Sequence, residues 1–144
     1  MDDVKRKIAS LDFSELKNKL VTRHGWLQSE ANEAEHQYRR YMYLCAKYPE
    51  RNLPPSEDID EFWHHHILDT NRYFKDCQSI YGDYKHHYPY FGVDATTNLD
   101  DLANAFEETQ RLCLQEFSET MPVVRPQHWF RKFLKYYLLK PLFS

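Results

Sequence analysis

The chain has 144 residues, 42% of them hydrophobic and 28% charged, which is one domain's worth of material with enough apolar content to bury a core. With only 3 Gly, it excludes a Gly-rich phosphate loop, a dinucleotide fingerprint and a turn-rich barrel. A mean hydropathy of -0.81 and the lack of any 18-residue apolar run exclude a membrane-spanning helix.

The net charge of -3 hides an asymmetry. Residues 121–144 hold five basic side chains and no acid, a charge of +5; the preceding 120 residues hold 14 basic and 22 acidic groups, a charge of -8. An acidic body is a poor nucleic-acid binder, so no nucleic-acid partner is expected. The N-terminus, MDDVKRKIAS, has no apolar h-region, so no secretory signal is expected. Cys45, Cys77 and Cys113 are odd in number and widely spaced. They read as free thiols in a reducing, cytoplasmic setting.

Five helices are predicted. The first spans about 12–24, with Phe13, Leu16, Leu20 and Val21 on one face and Gly25 as its stop. The second runs from a Ser29 cap to about Tyr48, with Ala34, Tyr38, Tyr41, Met42 and Cys45 inward and Pro49 as terminator. The third enters through Leu53-Pro54-Pro55, is capped by Ser56 and runs to Tyr81, where Gly82 ends it. Its stripe joins Ile59, Phe62, Trp63, His66, Ile67, Thr70, Tyr73, Phe74, Cys77 and Tyr81, and makes it the longest helix. A polar, aromatic loop, DYKHHYPYFGVDATTN, follows. A fourth helix covers about 99–119 on Leu102, Ala105, Phe106, Thr109, Leu112, Cys113 and Phe117. A fifth, about 127–139, follows Pro122 and Pro126. No segment alternates with period two. The fold class is all-α, a single-domain bundle of four to five helices with a long central helix. Residues 1–124 form the helical domain. Residues 125–144 form a basic aromatic C-terminal helix expected to dock on it.

Five of the eight histidines fall within residues 54–92. Asp60 and His64 are four residues apart and share one flank of the third helix. There a carboxylate and an imidazole can meet on a metal ion or in a hydrogen bond. His66 lies roughly 200° further round than His64, inside the apolar stripe, so one regular helix does not aim both at one ion. His65 faces solvent. His86 and His87, past the Gly82 turn, can fold back and offer the third ligand that zinc needs. Against this stands a buried hydrogen-bond network tying the third helix to the 86–92 loop. His66 reads as a satisfied core histidine or an accessory ligand. Cys77, eleven residues on and on the same side, reads as a small buried hydrophobe or a soft ligand. No Ser or Cys has the context of an activated nucleophile.

The residues from Gly25-Trp26 to Gly92 resemble the glycine-rich domain-containing protein-like family in its small bacterial form. The resemblance rests on Tyr38-Arg39-Arg40, Leu53-x-Pro55-Ser56 and Asp60-x-Phe62-Trp63-His64-x-His66-Ile67-Leu68-x-Thr70. It continues through Asp76-Cys77, Gly82, His86-His87-x-Pro89-x-Phe91-Gly92 and Ala105-Phe106-x-x-Thr109. It covers about two-thirds of the chain, with the D-x-x-W-H-x-H core its specific part. It implies four polar positions of interest, Asp60, His64, His66 and His87, and assigns them no reaction.

Two functions follow. One is a protein binding a divalent metal such as zinc through Asp60, His64 and His87, with His66, Cys77 and His86 as accessories and any reaction left open. The other is a non-enzymatic interaction module whose histidines are structural. The tail, HWFRKFLKYYLLKPLFS, places aromatic and aliphatic residues nearly all round a helix among four cations. That suits docking on its own domain, contact with a protein partner or a second copy, or a membrane surface.

Overall fold

Glycine, proline and the apolar repeat punctuate this chain into helices. A computed structural model describes residues 1–128 and Phe130. The described residues contain six α-helices and no strand: α1 Asp2–Ala9, α2 Ser14–His24, α3 Gln28–Lys47, α4 Glu57–Leu68, α5 Thr70–Tyr81 and α6 Leu99–Phe117. Another helical stretch begins at Pro126. The all-α, single-domain expectation stands, but the helix count exceeds four to five.

The first difference is α1, which the sequence reading left unassigned. Eight residues bearing one fully buried apolar side chain, Ile8, show too little periodicity to register. Tertiary contact holds the helix. The Arg39 guanidinium on α3 donates to the carbonyl of Ile8 and, at 2.7 Å, to that of Leu11, so groups left open at the α1 C-terminus find a donor.

The second difference is the predicted helix over 56–81. It breaks at Asp69, whose backbone (φ -81°, ψ 71°) ends α4 and begins α5. The longest helix is therefore α3, with 20 residues. It is also the central one, packing against α1, α2, α4 and α6. Its buried face is Ala31, Ala34, Tyr38, Tyr41, Met42 and Cys45, together with Tyr43 and Leu44. The break re-phases the stripe. On α5 the buried side chains are Tyr73, Cys77 and Ile80, whereas Thr70 and Phe74 are exposed.

Capping also departs locally from expectation. Gly25 and Gly82 end their helices in the left-handed region, as their positions require. The α3 helix starts two residues earlier than predicted, with Leu27 rather than Ser29 at its cap, where Glu30 accepts the N–H of Leu27 at 2.8 Å. Ser56 occupies the N-cap of α4 as expected, but its hydroxyl makes no capping bond and is buried without a partner.

Candidate functional site

Helix α4 presents two faces, and they do different work. Ile59, Phe62, Trp63 and His66 point into the core. Asp60 and His64, one turn apart, point to the edge of the molecule. The ring of His64 bends back on its own helix, with Nδ1 2.7 Å from the Asp60 carbonyl oxygen. A carbonyl only accepts, so Nδ1 carries the proton and the lone pair of the neutral ring sits on Nε2.

The loop after α5 brings His87 to the same place. Two relayed hydrogen bonds hold it there. Trp63 Nε1–H donates to the Tyr73 hydroxyl at 2.9 Å, and that hydroxyl donates to the Lys85 carbonyl at 2.5 Å. His87 is then flanked by Trp63 and His64, with ring centroids 4.4 and 4.5 Å away. Its Nε2 lies 2.5 Å from Asp60 Oδ1, and His64 Nδ1 lies 3.5 Å from Asp60 Oδ2. One potential ligand atom from each of Asp60, His64 and His87 falls within 4.8 Å of the other two. Asp60 and His64 are open to solvent, while the His87 side chain is 12% exposed.

The other named residues lie elsewhere. His66 is fully buried. Its Nδ1 is 2.8 Å from the Tyr38 hydroxyl and its Nε2 is 2.8 Å from Asp76 Oδ2. The carboxylate accepts from Nε2–H, so Tyr38 donates its hydroxyl proton to Nδ1. Burial pushes the Tyr38 hydroxyl well above its usual pKa. Cys77 is buried, and burial raises its thiol pKa too. His86 is exposed, packed on Tyr84 at 4.7 Å and apart from the cluster. His65 does not simply face water. It stacks on His24 at 4.5 Å with a buried, unpartnered Nδ1. The sequence reading missed Asp76 and Tyr73 as partners. The available signal was Asp69-Thr70, a helix-start pair in mid-stripe.

A cleft of about 740 Å³ adjoins the cluster. Asp60 and His87 line it together with Tyr41, Trp63 and Lys85, and it runs between the 53–56 segment and the start of α6. Opposite, Gly92 lies so close to α6 (φ +91°) that a Cβ there would sit 2.9 Å from Leu102 Cβ. Asp94 orders this stretch of the loop by accepting from the hydroxyls of Thr97 and Tyr88, at 2.6 Å each. Those bonds hold its carboxyl well below the usual range.

Fold and site thus define a small all-α domain with an Asp/His cluster on the rim of a cleft. The chain belongs to the family described as UCP032817-like, which matches residues 4–117. No curated protein and no solved structure matches it. The family match overturns the resemblance to the glycine-rich domain-containing protein-like family. The matched span begins within α1, before the first residue that carried that resemblance. The motif residues are placed by helix packing: Trp63 and His66 are core, and Asp60 and His64 share one turn. Helix geometry alone produces such spacing, so a short motif of this kind does not identify a family.

Proposed function

We propose that Asp60, His64 and His87 hold a divalent cation of the zinc type at the mouth of the cleft. The observation that supports this is the convergence of three potential ligand atoms within 4.8 Å. Two imidazoles and one carboxylate form a donor set that zinc accepts, and three protein ligands leave a position for water or a bound molecule. His64 keeps Nδ1–H on a helix carbonyl, the outer hydrogen bond that orients ligating imidazoles, and has Nε2 to offer. A metal held there would take the place of the Nε2–H proton that joins His87 to Asp60, with that proton released to solvent.

The direct His87–Asp60 contact at 2.5 Å favours a second reading, in which the cluster ties α4 to the loop and the domain serves as an interaction module. Metal analysis of chain purified without a histidine tag separates the two, followed by zinc titration of the chelator-treated protein. The metal reading expects one equivalent of zinc per chain and at least a ten-fold loss of affinity in His64→Ala. That ring bonds only within its own turn and packs at the surface, so the variant keeps its fold. No zinc uptake by the parent chain, with a lowered melting temperature in His87→Ala, gives the structural reading. Contact of the C-terminal segment with a partner, a second copy or an anionic membrane surface is a separate proposal. Sizing and vesicle binding of a chain ended after His128 read it out.

A further inference from the structure

The cleft wall carries both charged and apolar side chains. Trp63 packs on Tyr41 at 5.6 Å and on His87 at 4.4 Å, so Asp60, His87 and these rings lie together on it. Lys85 belongs there too. It lines the cleft, the Tyr73 hydroxyl holds its carbonyl, and its positive charge acts on the thiols of Cys45 and Cys77. The same cleft is lined by the apolar side chains of Leu53, Pro54, Phe91, Leu102 and Phe106, and by Met121, whose Sδ accepts the Ser56 N–H at 3.2 Å.

Most other charges on the cleft wall are occupied. Arg51 pairs with Glu108, and Asp58 accepts the backbone N–H groups of Val124 and Arg125. Lys85 has no ion pair among the described residues. Ser56, the N-cap residue four positions before Asp60, lines the cleft with a buried hydroxyl that bonds nothing. A divalent cation on Asp60 would offset the carboxylates of Glu57, Asp58 and Asp60, which all line the cleft, and would leave the Lys85 charge to be met. The Lys85 ammonium and the Ser56 hydroxyl therefore lack an acceptor-rich anion, and the apolar lining offers room for hydrocarbon.

We infer that the cleft binds a small organic acid, its carboxylate held at Lys85 and the metal and its aromatic or aliphatic body held between the 53–54 segment and α6. The metal's share in this rests on the reading above; the share of Lys85 does not. The test uses the full chain, with and without zinc, and calorimetric titration with 4-phenylbutyrate and decanoate. The matching primary amides serve as neutral controls. The expected result is carboxylate binding at least ten-fold tighter than amide binding. Lys85→Gln removes that difference in the zinc-free protein. Ala103→Trp, on the exposed rim of the cleft, abolishes binding of both while zinc uptake is unchanged.

Carboxylates that bind no better than their amides overturn the inference, as does binding that survives both substitutions. The two readings fail separately. A chain that takes up zinc but does not discriminate acid from amide keeps the metal site and loses the ligand class. A chain that takes up no zinc yet binds carboxylates in a Lys85-dependent way does the reverse.

Discussion

Replacing His66 leaves two buried groups without partners. Tyr38 is 1% exposed and Asp76 is partly buried, and each spends a hydrogen bond on the ring. His66→Ala therefore combines a cavity with an unsatisfied hydroxyl and carboxylate, and should cost about 4 kcal/mol. Urea unfolding measures this, and His66→Gln, which keeps one polar arm, should cost less. A loss under about 1 kcal/mol would mean that the network does not hold the core. Gly92 makes the same point about backbone. Gly92→Ala must place a methyl group against Leu102 at a positive φ, and should destabilise by about 2 kcal/mol. Equal stability of variant and parent would show that the loop moves freely off α6.

Between elements, the break at Asp69 does more than shorten a helix. Residues ten apart on a straight helix are displaced by about 15 Å along its axis. His66 nevertheless meets Asp76, and Trp63 meets Tyr73, because α5 turns back beside α4. The same turn delivers the loop that carries His87. A different contact joins α2 to α3, where Glu35 takes Lys17 at 2.5 Å and Arg39 at 2.7 Å. Burial alone would raise the Glu35 pKa; the two hydrogen bonds and charges outweigh it and leave the carboxyl lower than usual. A carboxylate lowered in the fold binds fewer protons than in the unfolded chain. Its contribution is present above its ordinary pKa of about 4.5 and lost as pH falls through the folded value. The fall in urea midpoint between pH 6 and pH 3 should accordingly be smaller in Glu35→Gln than in the parent. An identical fall would remove the pair from the acid response.

At the scale of the whole molecule, Arg125 closes the domain. It is 9% exposed, stacks on the Trp26 ring at 4.4 Å and faces Glu30 at 3.9 Å and Glu61 at 3.6 Å. Asp58 meanwhile accepts its backbone N–H at 2.9 Å. The first cation of the basic tail is thus anchored on the acidic body, spanning α3 and α4, and residues 121–125 belong structurally to the domain. The expectation of a docked helix over 125–144, with Trp129 and Phe133 buried, lies otherwise outside the described residues. Arg125→Ala should cost about 2 kcal/mol, lowering the melting temperature by several degrees. A chain ended at residue 120 should lose more than one ended at residue 128. If both truncations melt with the parent, the clasp contributes nothing. Among the described residues no helix is long and apolar enough to cross a membrane.

What the sequence determined by itself is what short-range physics decides. Helical periodicity, the left-handed stops at Gly25 and Gly82, the burial of Trp63 and His66, and the shared flank of Asp60 and His64 all act within a turn or two of chain. Even the return of a loop histidine toward that flank was legible from the Gly82 turn. Other features needed the tertiary structure. The short helix α1 packs on α3 and α5, and Arg39, some thirty residues on, bonds the carbonyls at its C-terminal end. Asp69 breaks the long stripe because breaking it joins His66 to Asp76 and Trp63 to Tyr73. Asp58 sits in the first turn of α4, where an acid is ordinary helix-start chemistry, yet it holds residues 124 and 125, more than sixty positions away. The cleft, assembled from five stretches of chain, has no local signature at all. Each of these depends on the net free energy of packing between distant segments, which no window of neighbouring residues contains.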